Sequence, residues 1–310
     1  MFATNSKPAN TATANPFSGL FGSSNAPAAN GQSGGIMQEL LYGVVFVALL
    51  FMVLILTEVI YKYIHRLSMN RTELIPNTCI MDSNPKQIIQ NPNSTDKNAK
   101  PIHLSHNERS GIEFSYSFYI NADPSVFRQE DGLLHIFHKG YANQFPLLGP
   151  GVYMRSHTNT LRIYMNTFQT WNKYIDVENF PVSKWVHVAI VCKENALEVF
   201  INGNLSKKMP FEGYVPYQNY EDIWCFSDRI IAMKPSLNGA PTGPASLDDT
   251  GFNVFGKMRG MMSRLYYFSY ALCYSEIQEL MGMGPSSKMD SSSMNDKPPY
   301  LSDTWWANGY

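Results

Sequence analysis

The run LLYGVVFVALLFMVLILT, residues 40 to 57, lies between Glu39 and Glu58 and contains no charged residue. As a helix rising about 1.5 Å per residue it reaches roughly 27 Å, the thickness of a thin bilayer core. Leu40, Leu41, Val44, Val45, Phe46, Leu49, Leu50, Phe51, Val53, Leu54, Ile55 and Leu56 cover every side of that helix. With no polar face to turn to water, it reads as a membrane anchor, with the lipid bilayer as its first partner, rather than as a core helix. Tyr42, Tyr61 and Tyr63 lie near its ends, where interfacial aromatics collect. The remainder of the chain must therefore fold on one side of a bilayer or the other.

Flanking charge assigns the side. Lys7 is the only charge before the run, whereas Lys62, Arg66 and Arg71 follow it closely. The positive-inside rule places residues 60 to 310 on the cytosolic face. Three N-glycosylation triplets, at Asn70, Asn93 and Asn204, suit the opposite orientation, but such triplets arise often by chance and the charges decide. The apolar run starts too late, and without a basic start just before it, for a secretory signal peptide.

Composition shifts divide the chain further. Residues 1–35 are rich in Ala, Asn, Ser, Gly and Pro and read as a disordered N-terminal tail. Residues 36–66 are the membrane helix with its juxtamembrane turn, and 67–109, polar with scattered prolines, read as a linker or stalk. From 110 to 283 short runs rich in β-branched and aromatic residues alternate with Gly, Asn and Pro, the texture of an antiparallel β-sandwich. Residues 284–310 read as a flexible tail with an aromatic end. Net charge is −1, which excludes a general nucleic-acid binder. The 4 cysteines form no CxxC pair and read as reduced, structural thiols.

The hairpin WVHVAIVC-KEN-ALEVFING, residues 185 to 203, is the most informative part of the sandwich. Val186, Val188, Ile190 and Cys192 share one face, and Trp185, His187, Ala189 and Val191 the other. Both faces are largely apolar, so the strand is expected to be central and covered on both sides. Asn202-Gly203 signals a tight turn into a further strand, LSKKM. One helix is expected in SEIQELMG, capped by Ser275 with Gln278 and stopped by Gly282. Residues 230–251 carry no strand pattern and read as a long loop.

The order W-x-H-V-A-x-V followed by L-x-V-F-I-N-G resembles the laminin-G-like branch of the concanavalin A-like lectin/glucanase superfamily. FSYSFYI, LLHIFHKG, GVYMRSHTNTLRIYMNT and GKMRGMMSRLYYFSYALCYSEIQEL supply the other pieces in order. The resemblance covers roughly residues 110 to 282 and implies a mainly β, antiparallel jelly-roll sandwich preceded by one transmembrane α-helix. The combination with a membrane helix and the tail PPYLSDTWW is similar to virion proteins of large nucleocytoplasmic DNA viruses. That similarity implies a minor capsid component tethering an internal viral membrane to the capsid shell, with capsid or other virion proteins as partners.

Glucanases of this architecture alternate carboxylates as E-x-D-x-E, and no such run exists here. A turn is expected between Glu194 and Glu198, and Glu221 and Asp222 are adjacent, so neither pair suits glycosidic hydrolysis. No catalytic residue, metal site or cofactor is expected. His135 and His138, three apart on a strand, are expected to face opposite ways. His103 and His106 lack further ligands, and Asp248-Asp249 read as a solvated loop rather than a calcium site. A glycan remains the alternative partner: Tyr141, Tyr153, Trp171, Tyr214, Tyr217 and Tyr220 offer stacking rings, with Trp171 and YVPYQNY expected to be the most exposed. Trp305, Trp306 and Tyr310 at the chain's end either dock onto a partner or fold back onto the domain.

Overall fold

The computed structural model describes residues 32–96, 99–105, 112–193, 195–233 and 252–290. The chain divides into two units between Ile64 and His65. The first holds helix α1, Gln32–Ile64. Its Met37–Ile64 portion, 28 residues, is long and apolar enough to cross a membrane. Residues 1–31 of the expected tail lie outside the described residues, and α1 takes up the rest of that range.

The second unit opens with α2 (Arg66–Met69), β1 (Arg71–Ile75), β2 (Cys79–Ile80) and β3 (Lys86–Ile88). Then come β4 (Phe114–Ala122), β5 (Leu133–Gly140), β6 (Leu148–Arg155), β7 (Leu161–Met165) and β8 (Lys173–Val177). The hairpin strands follow as β9 (Trp185–Lys193), β10 (Ala196–Ile201) and β11 (Asn204–Pro210). The last elements are β12 (Ile223–Cys225), β13 (Ile230–Met233), β14 (Phe252–Lys257), β15 (Gly260–Phe268) and α3 (Tyr274–Gly282). Among the described residues these strands form two sheets. One runs β1-β15-β4-β9-β10-β11 with β2 beside β15; the other runs β13-β14-β5-β6-β7-β8 with β12 beside β5 and β3 beside β12. Pairing is antiparallel except where β14 lies parallel to β5.

The central core lies between the sheets. Tyr116 and Phe118 of β4 meet Phe137 of β5 with ring centroids 5.7 and 5.4 Å apart. Val186, Val188, Ile190 and Cys192 of β9 join this core, while Ala189 and Val191 pack on the outer face under α3. The strand is covered on both sides, as its apolar alternation requires. Asn202 and Gly203 turn with φ of 48° and 76°, the left-handed geometry of a tight hairpin. Gly203 meets a second demand: a Cβ there would stand 2.5 Å from Gln278 Nε2, which donates to Gly203 O and pins α3 to the hairpin.

Four expectations need correction. Residues 67–109 are no free stalk along their first half, because β1 and β2 pair with β15 and β3 pairs with β12. These strands are short, and their partners lie far along the chain. Residues 230–233, read as loop, form β13 against β14. Residues 288–290, read as flexible tail, are held instead: Asp290 N donates to Thr78 O at 2.7 Å and Thr78 N to Lys288 O at 2.8 Å, and residues 291–310 lie outside the described residues. The cap of α3 is Cys273 rather than Ser275, with Glu276 as its reciprocal partner: Glu276 Oε2 accepts from Cys273 N at 2.8 Å. Glu276 is fixed there because its other oxygen takes a hydrogen bond from Tyr270 Oη at 2.9 Å.

Candidate functional site

The first feature is the junction behind the apolar helix. Leu67, three residues past Ile64, is 6% exposed and belongs to the apolar cluster of Tyr270, Leu272, Ile277 and Leu280. Arg66 lies over the Tyr270 ring at 4.1 Å and reaches Glu276 at 3.9 Å. Arg71 lies over Tyr266 at 4.7 Å and pairs with Glu73 at 2.6 Å. Two of the cations that mark orientation in the sequence are thus also structural parts of the sandwich. Burial of Leu67 depends on a helix more than two hundred residues away, so sequence reading missed it.

The second feature is the loop cluster holding the aromatic residues considered for sugar stacking. Asn166 organises it. Its Nδ2 donates to Pro146 O and Trp171 O, both at 3.0 Å, and its Oδ1 accepts from Leu148 N. This hook folds the β7–β8 connection over the outer face of the second sheet. Trp171 is consequently 6% exposed, correcting the expectation that it is among the most exposed rings. It is wedged between Phe145, Tyr164 and Phe252 at centroid distances of 4.8, 6.3 and 5.6 Å. Tyr153 is fully buried, and Tyr214 is half-buried under Lys173 Nζ, 4.5 Å from its ring centre. Tyr217 is half-buried with Phe168 edge-on at 5.1 Å. Phe168 at 66%, Tyr220 at 75% and Tyr141 at 46% are the open rings among these residues; Phe168 was not singled out from sequence. Trp305, Trp306 and Tyr310 lie outside the described residues, as do His106, Glu194, Asp248 and Asp249.

The third feature is a buried histidine pair. His135 Nε2 and His138 Nδ1 are 2.7 Å apart, so the expectation that the two rings face opposite ways fails. A bulge explains it. His135 pairs with Tyr153 and Phe137 with Val152, leaving Ile136 as the extra residue that brings His138 round to the side of His135. Burial pushes His135 well below the usual histidine value, with His138 beside it adding to the effect. Burial likewise takes His138 down to about 4, against an opposing hydrogen bond to the Tyr141 carbonyl.

Glu198 and Asp222 are held by structural partners. Glu198 takes Lys193 Nζ at 2.8 Å and Lys208 Nζ at 2.9 Å. Burial raises its pKa, but those two hydrogen bonds override burial and hold it below the usual range, unlike a proton donor. Asp222 accepts from Gln87 Nε2 at 2.6 Å and Gln90 N at 2.8 Å. Among the described residues no group of three or more His, Cys, Asp or Glu side chains is placed to hold a metal ion.

The geometry agrees with comparison to known proteins. The family described as the concanavalin A-like lectin/glucanases superfamily, of laminin-G type, matches residues 96–240, just under half of the chain. The fold class is accordingly a concanavalin A-like sandwich of two sheets behind an apolar N-terminal helix. No curated protein matches this chain. Solved structures that resemble it include the receptor binding domain of botulinum neurotoxin C/D mosaic serotype, 14% identical with a TM-score of 0.39 over 56% of this chain and 36% of that one. Another is the botulinum neurotoxin serotype D ligand binding domain in complex with N-acetylneuraminic acid, 14% identical with a TM-score of 0.39, covering 58% and 39%. A third is the botulinum neurotoxin type G receptor binding domain, 16% identical with a TM-score of 0.37, covering 58% and 41%. The chain spans well under half the length of each.

Proposed function

We propose that this chain is a non-catalytic, membrane-anchored binding module that ties a bilayer to a protein neighbour on its cytosolic side. The observation that carries this reading is the junction after α1. Only His65 and Arg66 separate Ile64 from the buried Leu67, so the connecting chain extends no more than about 10 Å. A tether that sets spacing needs a short attachment, whereas a ligand-gathering domain works better on a long flexible stalk. The positive charge following the helix supports the cytosolic side. The similarity to virion proteins gives the particular form: a minor capsid component holding an internal membrane to the capsid shell, with the sandwich and the Trp305–Trp306 end as the binding parts. Protease protection of the full chain in sealed membranes tests the side. Accessible sandwich with no added glycan is expected; a protected, glycosylated sandwich would overturn the cytosolic tether.

A second reading is favoured by the exposed ring of Phe168 against Tyr217 and the exposed ring of Tyr220, rings suited to sugar stacking, in a fold whose matched family includes lectins. It assigns saturable glycan binding to this loop cluster. Glycan-array binding by the full chain that disappears in Phe168→Ala and Tyr220→Ala would favour it over the tether.

A further inference from the structure

We propose that the His135–His138 pair is an acid-released latch: proton uptake by the two rings unseats the Tyr141–Gln144 turn and the Ser227 end of β12, uncovering the aromatic face beneath. The argument begins with hydrogen positions. Ser227 N, which can only donate, lies 3.0 Å from His135 Nδ1, so that nitrogen carries no hydrogen. Neutral His135 therefore carries its hydrogen on Nε2 and donates it to His138 Nδ1. His138 in turn carries its hydrogen on Nε2 and donates to Tyr141 O at 2.8 Å. All three bonds point one way, and every ring nitrogen is used.

A further proton has two places to go. On His135 Nδ1 it would face the Ser227 N–H, and on His138 Nδ1 it would face the His135 Nε2–H. Either placement sets donor against donor at hydrogen-bond distance, inside a site where both rings are 0% exposed. The closed arrangement cannot accept a proton without losing a bond.

Neighbouring elements offer no relief. From β6 the titratable neighbour is Tyr153, 5.4 Å from His135 between ring centres. From β14, Lys257 turns away to Ser83 O at 2.8 Å and Asp228 at 3.0 Å. From β5 itself, Lys139 turns to Glu221 O, drawing on the Glu221 and Asp222 carboxylates. From β12 the cross-strand neighbour of His138 is Trp224, which carries no charge. No carboxylate acts on either ring among the described residues.

The bonds at risk hold a cover in place. Gln144 N donates to Tyr141 O at 2.8 Å, and Gln144 Oε1 accepts from Tyr153 Oη at 3.0 Å. The next residue, Phe145, packs edge-on against Trp171. Opening the turn would bare the Tyr153–Trp171 face. Histidines freed by opening titrate near 6.5, so lowering pH from 7 to 5 raises the open population roughly twentyfold per ring and on the order of several hundredfold for the pair.

The test is hydrogen exchange on the full chain in lipid nanodiscs at pH 7 and pH 5, corrected for intrinsic rates. Protection at Gln144, Phe226 and Ser227 is expected to fall several hundredfold and to stay well below that of β4 and β9, whose exchange needs the whole sandwich to open. His138→Gln retains an acceptor and a donor, and is expected to reduce the change to about twentyfold. Unchanged protection at the three amides, or protection at pH 5 equal to that of β4 and β9, would overturn the latch. If His138→Gln does not fold, imidazole 15N spectra of the wild-type chain decide. Both rings are expected as Nε2–H tautomers that titrate together below pH 5; a ring titrating near 6.5, or an Nδ1–H tautomer, would refute the arrangement.

Discussion

Asn166 ties three backbone groups with one carboxamide, and nothing in its sequence neighbourhood distinguishes it from a surface asparagine. Asn166→Ala leaves those groups unpaired under the β7–β8 loop and should cost roughly 3 kcal/mol, read by denaturant unfolding, with a rise in Trp171 solvent exposure. Tyr116 presents the reverse case. Its ring is fully buried and its hydroxyl has no hydrogen-bond partner among the described residues. Tyr116→Phe should therefore raise unfolding stability by about 1 kcal/mol. His187 is also buried and neutral, held by burial at about 4. An unfolded histidine binds its proton near 6.5, so stability is intact above that pH and falls as pH drops toward 4. His187→Gln should lower the slope of unfolding free energy against pH, between 6 and 4.5, by about 1.4 kcal/mol per unit. Residue chemistry of this kind stayed hidden in the sequence because burial and partners come from distant strands.

Elements were legible where a local pattern was sufficient. The β9–β10 hairpin shows period-two alternation, apolar faces on both sides and an Asn-Gly turn, and the structure builds it on those residues. Elements β1, β2 and β3 have 5, 2 and 3 residues, too few for a period to register, and β1 and β2 take their order from β15. The bulge in β5 was equally hidden, since one extra residue leaves the composition of LLHIFHKG unchanged while reversing which side chains meet. On the proposed tether, α2 is the segment that matters most. Leu67→Ala should destabilise the sandwich by roughly 2–3 kcal/mol and expose residues 65–75 to proteolysis. Arg66→Ala, which removes the Tyr270 and Glu276 contacts, should act in the same direction by about 1 kcal/mol, measured by the same cleavage assay.

At the scale of the whole molecule, an apolar helix precedes a sandwich in which Glu198 and Asp222 are held by structural partners. On the proposed tether, position relative to the membrane is the property on which function depends. The exposed lysines Lys184, Lys207 and Lys208 give the sandwich reactive handles, and Asn204 stands exposed at the start of β11. The most direct measurement is crosslinking mass spectrometry of the full chain in intact membranes or particles, with the mass of the Asn204 peptide read in the same experiment. The tether predicts crosslinks from these lysines to a protein neighbour on the cytosolic face and an unmodified Asn204. Lysines that crosslink to no neighbour, together with a glycan on Asn204, would contradict it.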